Sequence, residues 1–120
     1  MKFFIFPLCT AVALLAGCTT RPSLYEWSNY DQLLYDYYKT PASAEAFVTA
    51  MTAQVQALEA AGKRPAPGIY AELGTFALSR GNSQAAAQYY KKEMQAWPES
   101  KGLMTALIAN IDKKKTGAPQ

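Results

Sequence analysis

Apolar residues recur at helical spacing in five stretches of this chain, separated by polar breakers. The first stretch, Trp27 to Lys39, puts Tyr30, Leu33, Leu34 and Tyr37 on one face. Ser28 and Asp31 give it a capping-box-like start, and Thr40-Pro41 closes it. The second begins at Pro41 or Ser43 and runs to Ala61, with Phe47, Met51, Val55 and Leu58 as its buried stripe. Gly62 ends it, and Lys63-Arg64-Pro65-Ala66-Pro67 makes a stiff turn. Pro67 or Gly68 opens the third and Gly81 ends it. Asn82 or Ser83 caps the fourth, which stops at Trp97-Pro98. The fifth, Ser100 to Asp112, carries Leu103, Met104, Leu107, Ile108 and Ile111.

The third and fourth helices organise the rest. Ala66 to Ser100 has the spacing of one tetratricopeptide-like helix-turn-helix repeat, a unit of about 34 residues. Small residues at Gly74 and Ala86 let two antiparallel helices approach, and Tyr70, Leu73, Tyr90 and Met94 fill the space beside them. Aligning Leu33-Leu34 with Leu73-Gly74 sets Tyr30 over Tyr70 and Tyr37 over Ala77, so the first pair reads as a degenerate copy. The expected fold is all-α: antiparallel helix hairpins stacked as a short tetratricopeptide-like right-handed superhelix of about five helices.

The N-terminus changes this picture. Lys2 precedes a short apolar run from Phe3 to Leu15, the layout of a secretory signal and too short to span a bilayer comfortably. The run ends in Leu15-Ala16-Gly17-Cys18, which resembles the bacterial lipobox. That resemblance implies lipid on Cys18 and cleavage before it. Residues 1–17 are then a signal peptide, 18–26 the lipidated cysteine and its tether, 27–112 the helical domain and 113–120 a basic flexible tail. Cys9 leaves with the signal, so no free thiol remains. Thr19 stands where an aspartate would resemble an inner-membrane retention signal, which favours the outer membrane, with the domain in the periplasm.

Composition excludes more than it suggests. The net charge of +3 is mild, and its one run, Lys113-Lys114-Lys115, suits the negative end of the last helix dipole. No basic face interleaved with aromatics points to nucleic acid. The chain has no histidine, which removes the usual general base and the commonest zinc ligand. No carboxylate pair, metal-ligand cluster or phosphate-binding glycine loop stands out. Neither an enzyme nor a cofactor is expected.

The aromatic residues are more informative. Tyr25, Trp27, Tyr30, Tyr35, Tyr37 and Tyr38 crowd into the start of the domain. In tetratricopeptide repeats the first helix of each pair lines a concave groove. Carried onto this chain, the groove positions are Ser28, Asp31, Tyr35 and Tyr38 in the first unit, and Gly68, Ala71, Thr75 and Leu78 in the second. Tyrosines there offer rigid contact area with a polar tip, so Asp31, Tyr35, Tyr38, Ala71, Thr75 and Leu78 are the candidate partner-binding residues. Packing against a neighbouring loop or the tether is the alternative for Tyr35 and Tyr38.

The lipobox, the Tyr-rich helix, Pro67-Gly68-Ile69-Tyr70-Ala71-Glu72-Leu73-Gly74 and Trp97-Pro98-Glu99-Ser100 together resemble a family of small bacterial lipoproteins labelled domain of unknown function 4810. Its members are typically encoded near a lipoprotein resembling the curli secretion channel. The resemblance implies a part in an outer-membrane lipoprotein complex and supplies no catalytic residues. The expected function is a non-enzymatic adaptor or assembly factor, lipid-anchored through Cys18, that binds an envelope protein such as a curli-channel-like lipoprotein. The alternative is peptidoglycan or saccharide binding through the Tyr-rich face.

Overall fold

The computed structural model describes residues 23–117. The expected signal peptide, Cys18 and the first part of the expected tether lie outside these residues, as does the end of the expected tail. The described chain is all-α, with five helices: α1 Tyr30–Lys39, α2 Ala44–Ala60, α3 Ile69–Ser79, α4 Ser83–Ala96 and α5 Lys101–Thr116. Single 3-10 turns, Pro41–Ser43 and Pro98–Ser100, lead into α2 and α5. Short turns reverse the chain between successive helices, so α1, α3 and α5 run the same way.

The breakers act as their chemistry demands. Thr40 N–H donates to the Asp36 carbonyl, and Pro41, with no N–H, takes the chain out of α1. Gly62, at φ 67°, lets Lys63 N–H return to the Leu58 carbonyl at 2.9 Å and stop α2. Asn82 accepts from Ala85 N–H at 3.0 Å and caps α4.

The first helix starts later than the sequence predicts. Ser28 lies outside it at φ 53°, and the N-cap is Asn29, which makes no side-chain capping bond. The capping box of Ser28 and Asp31 therefore does not form. Aromatic packing sets the turn instead: Trp27 lies 6.0 Å from Tyr25 and 5.5 Å from Tyr30, and its carbonyl accepts from Tyr30 N–H at 3.1 Å.

Two further boundaries move. Tyr25 and Glu26, assigned to the tether, dock on the domain. Glu26 N–H donates to the Arg64 carbonyl at 3.0 Å, and the Glu26 carbonyl accepts from Ala66 N–H at 3.2 Å. Tyr25 meets the Trp97 ring edge-on at 5.5 Å. At the other end α5 continues through Thr116, so Lys113 and Lys114 belong to the helix rather than to a flexible tail.

The core has two parts. Phe47, Met51 and Val55 of α2 pack with Ala66, Ile69, Tyr70 and Leu73, and Leu33, Leu34, Tyr37 and Phe76 close over them. Ala86 and Tyr90 of α4 pack with Met104 and Ile111 of α5, joined by Ala71, Leu78 and Met94. Gly74 is the contact between α3 and α4: a Cβ there would lie 2.6 Å from Tyr90 Cε1 and 3.2 Å from the Ala86 carbonyl oxygen.

A candidate partner-binding face

The sequence-predicted site residues divide between two environments. On α1, Asp31 is exposed, and Tyr35 and Tyr38 are 60% and 72% exposed. The Lys39 ammonium lies 5.8 Å from the Tyr35 ring, and Tyr38 leans on Tyr37 at 5.6 Å. On α3, Thr75 is exposed, with its hydroxyl donating to the Ala71 carbonyl at 3.0 Å and lying 3.3 Å from the Tyr90 hydroxyl. Ala71 and Leu78 are half-buried against the α4–α5 part of the core, and Leu78 shares a wall with Leu107 and Ile111 of α5.

Side chains hold α1 beside α3. The Tyr30 hydroxyl donates to Glu72 Oε2 at 2.6 Å, and the Tyr37 ring meets Phe76 edge-on at 5.7 Å. Burial and then the Glu72 carboxylate keep the Tyr30 hydroxyl protonated far above the ordinary tyrosine range. Tyr70 repeats the device against Glu59 at 2.7 Å, and its pKa too is pushed up, first by burial and then by that hydrogen bond. Glu59 is held below the usual carboxylate range by hydrogen bonds from Lys92, at 2.8 Å, and from Tyr70, against an opposing effect of burial. These groups are consumed in holding helices together, with no free acid or base among them.

Leu78 leads to a feature that the sequence reading missed. It opens onto a trough of about 360 Å³ shared with Leu107, Asn110, Ile111, Lys113 and Lys114 of α5. The walls are largely apolar, and two lysines stand at the rim. The signal was present as Leu107 and Ile111 one turn apart with Lys114 following, but assigning the lysines to a flexible tail hid it. Among the described residues no group of three or more His, Cys, Asp or Glu is arranged to hold a metal ion, and no helix is long and apolar enough to cross a membrane.

What fold and face define together is a small all-α domain of packed helix pairs, with exposed aromatics on one helix and an apolar trough between two others. Residues 24–107 match the family described as domain of unknown function (DUF4810), and the chain belongs to that family. The match starts at Leu24, where the N-terminal segment meets the domain, and ends within α5. No curated protein and no solved structure matches the chain.

Proposed function

We propose that this protein is an outer-membrane lipoprotein, acylated at Cys18, whose periplasmic domain is a tetratricopeptide-like, non-enzymatic adaptor for an envelope complex. The carrying observation is the apolar trough from Leu78 to Ile111 with Lys113 and Lys114 at its rim. It fits an apolar segment of a partner protein flanked by carboxylates. The lipid fixes the domain at the membrane and the trough holds the partner, so weak intrinsic affinity suffices at high local concentration. A channel-forming lipoprotein of the curli-channel kind is the partner the family resemblance favours. The close α3–α4 contact at Gly74 and Ala86 supports the repeat reading.

In-cell photo-crosslinking from probes at Tyr38 and Leu78, read by mass spectrometry, tests this. One envelope-protein adduct shared by both positions is expected. Adducts only to lipid, glycan or unrelated abundant proteins would overturn the adaptor reading. A second reading, saccharide binding, is favoured by the two exposed tyrosine rings of α1, since aromatic faces stack on sugars. It requires the protein to sediment with purified sacculi and to lose that behaviour in the double variant Tyr35→Ala, Tyr38→Ala.

A further inference from the structure

The end of the molecule where the N-terminal segment joins the domain carries large apolar side chains that the described residues leave exposed. Leu24 is 81% exposed and Trp27 is 46% exposed. They are not on a loose arm. Glu26, between them, is bonded on both backbone groups to Arg64 and Ala66, and its carboxylate pairs with Lys63 at 2.7 Å. The Trp27 carbonyl accepts from Gln54 Nε2 at 2.6 Å, and its ring rests on Tyr25 and Tyr30. Leu24 and Trp27 are therefore presented by a fixed segment, with much of each side chain left outward.

From this geometry we infer that this edge lies against the headgroup interface of a phospholipid bilayer. The composition is that of an interfacial contact: a tryptophan half-buried in its own protein, a leucine beside it, and the exposed Lys63 and Arg64. The Lys63 charge is balanced by Glu26, and the Arg64 guanidinium lies 5.0 Å over the Trp97 ring, so apolar insertion rather than net charge carries the contact. Chain length points the same way. Leu24 follows Cys18 by six residues, a span of at most about 20–22 Å when fully extended. This second argument rests on the lipoprotein reading; the exposed residues do not.

The inference fixes which way the domain faces. α3 and α5 start near this edge and run away from it, at about 1.5 Å per residue. Leu78 lies about 14 Å along α3 from Ile69, and Lys113 about 18 Å along α5 from Lys101. The trough thus opens at the end turned from the membrane, towards a partner in the aqueous compartment.

The test uses the full chain, purified from membranes and reconstituted into phosphatidylethanolamine vesicles with a minor share of phosphatidylglycerol. Their acyl chains are brominated near the headgroup. The chain has two tryptophans, and Trp97 is 6% exposed, so quenching of roughly half the emission is expected, from the exposed indole alone. Trp27→Phe should abolish the quenching. Leu24→Asp, at a position too exposed to affect folding, should reduce it without altering the circular dichroism. Intact mass of the same sample reports acylation of Cys18. An acylated, vesicle-bound protein with unquenched Trp27 overturns the membrane edge and leaves the anchor standing. An unacylated chain that still binds the vesicles with Trp27 quenched supports the edge and sinks the anchor. An unacylated chain with no quenching overturns both.

Discussion

α1 and the α3–α4 hairpin are built from similar, tyrosine-rich amphipathic sequence, yet they sit at different depths. In the hairpin, Ala86 is fully buried, and Tyr90 and Leu73 are 1% and 2% exposed. In α1 no residue is fully buried; Tyr30, Leu33, Leu34 and Tyr37 are all half-exposed. The aligned positions locate the cause. Where α3 has Gly74, α1 has Leu34, a large side chain packed against the α2–α3 core. The hairpin closes by backbone approach over a missing side chain. α1 is instead held at arm's length by rings, with Tyr37 stacked on Phe47 at 5.1 Å, and by the Tyr30–Glu72 hydrogen bond. The same tyrosine content serves as core in one region and as contact surface in the other.

Making the hairpin resemble α1 should produce the largest effect. In Gly74→Leu the new Cβ alone would lie 2.6 and 2.8 Å from two Tyr90 ring carbons, and the ring has no free space to move into. Even Gly74→Ala, which gains about 0.5–1 kcal/mol of helix preference, should lose more through overpacking, a cost of about 1–3 kcal/mol. Gly74→Leu should cost about 3 kcal/mol or more, a large share of a small domain's stability. Urea unfolding followed by circular dichroism checks both, and an unchanged midpoint for either would refute the depth argument.

A second substitution tests how the hairpin is joined to the rest. Glu93 is 1% exposed, and its Oε1 accepts from Gly68 N–H at 2.8 Å and from the Ser100 hydroxyl at 3.3 Å. One carboxylate on α4 thus ties the entry of α3 to the turn before α5. Gly68 itself sits at φ 93°, so its N–H points where a helical residue's would not. Glu93→Ala orphans that N–H and should cost about 1–3 kcal/mol. The expected mark is faster amide exchange at Gly68 and Ile69, with the α1–α2 contacts unaffected. Equal loosening of α1 would show that the two regions are not energetically separate.

How much of this was legible in the sequence follows the same division. Helical periodicity gave the five helices, and the buried stripe Phe47, Met51, Val55 and Leu58 of α2 is found as the spacing predicts. The Gly74–Ala86 contact was readable because only small residues permit it. The start of α1 was not, because Ser28 and Asp31 match a capping box locally while packing among Tyr25, Trp27 and Tyr30, a tertiary effect, sets the turn. The buried place of Glu93 was not readable either. Its partners, Gly68 and Ser100, are brought to it only by the fold. The groove positions on α3 take no account of α5, whose Leu107 and Ile111 form the trough beside Leu78.

The smallest effect tests the polar link that holds α1 in place. Tyr30 and Tyr70 both have hydroxyl pKa values raised in the folded state, so each contributes stability that is fully present below the unfolded tyrosine value of about 10 and lost as pH rises above it. Both rings donate to a carboxylate, and ionisation would set two negative charges against each other. Tyr30→Phe removes one such bond and should cost about 0.5–1.5 kcal/mol at neutral pH. Above pH 10 its effect should shrink, because the unfolded wild type releases a tyrosine proton that its folded state must keep, while the variant has none to release. Tyr70→Phe should do the same for the link between α2 and α3, with a further change in acid. Glu59 has a lowered folded pKa, so its contribution is present above its unfolded value of about 4.3 and fades as pH falls through the folded one. Removing Tyr70 takes away one of the two hydrogen bonds that depress it, so the variant's stability should fall less steeply in acid. Thermal melts of the two variants at neutral pH, in acid and above pH 10 check the pattern; a Tyr70→Phe stability that falls as steeply in acid as the wild type's, or no loss from Tyr30→Phe at neutral pH, would refute it.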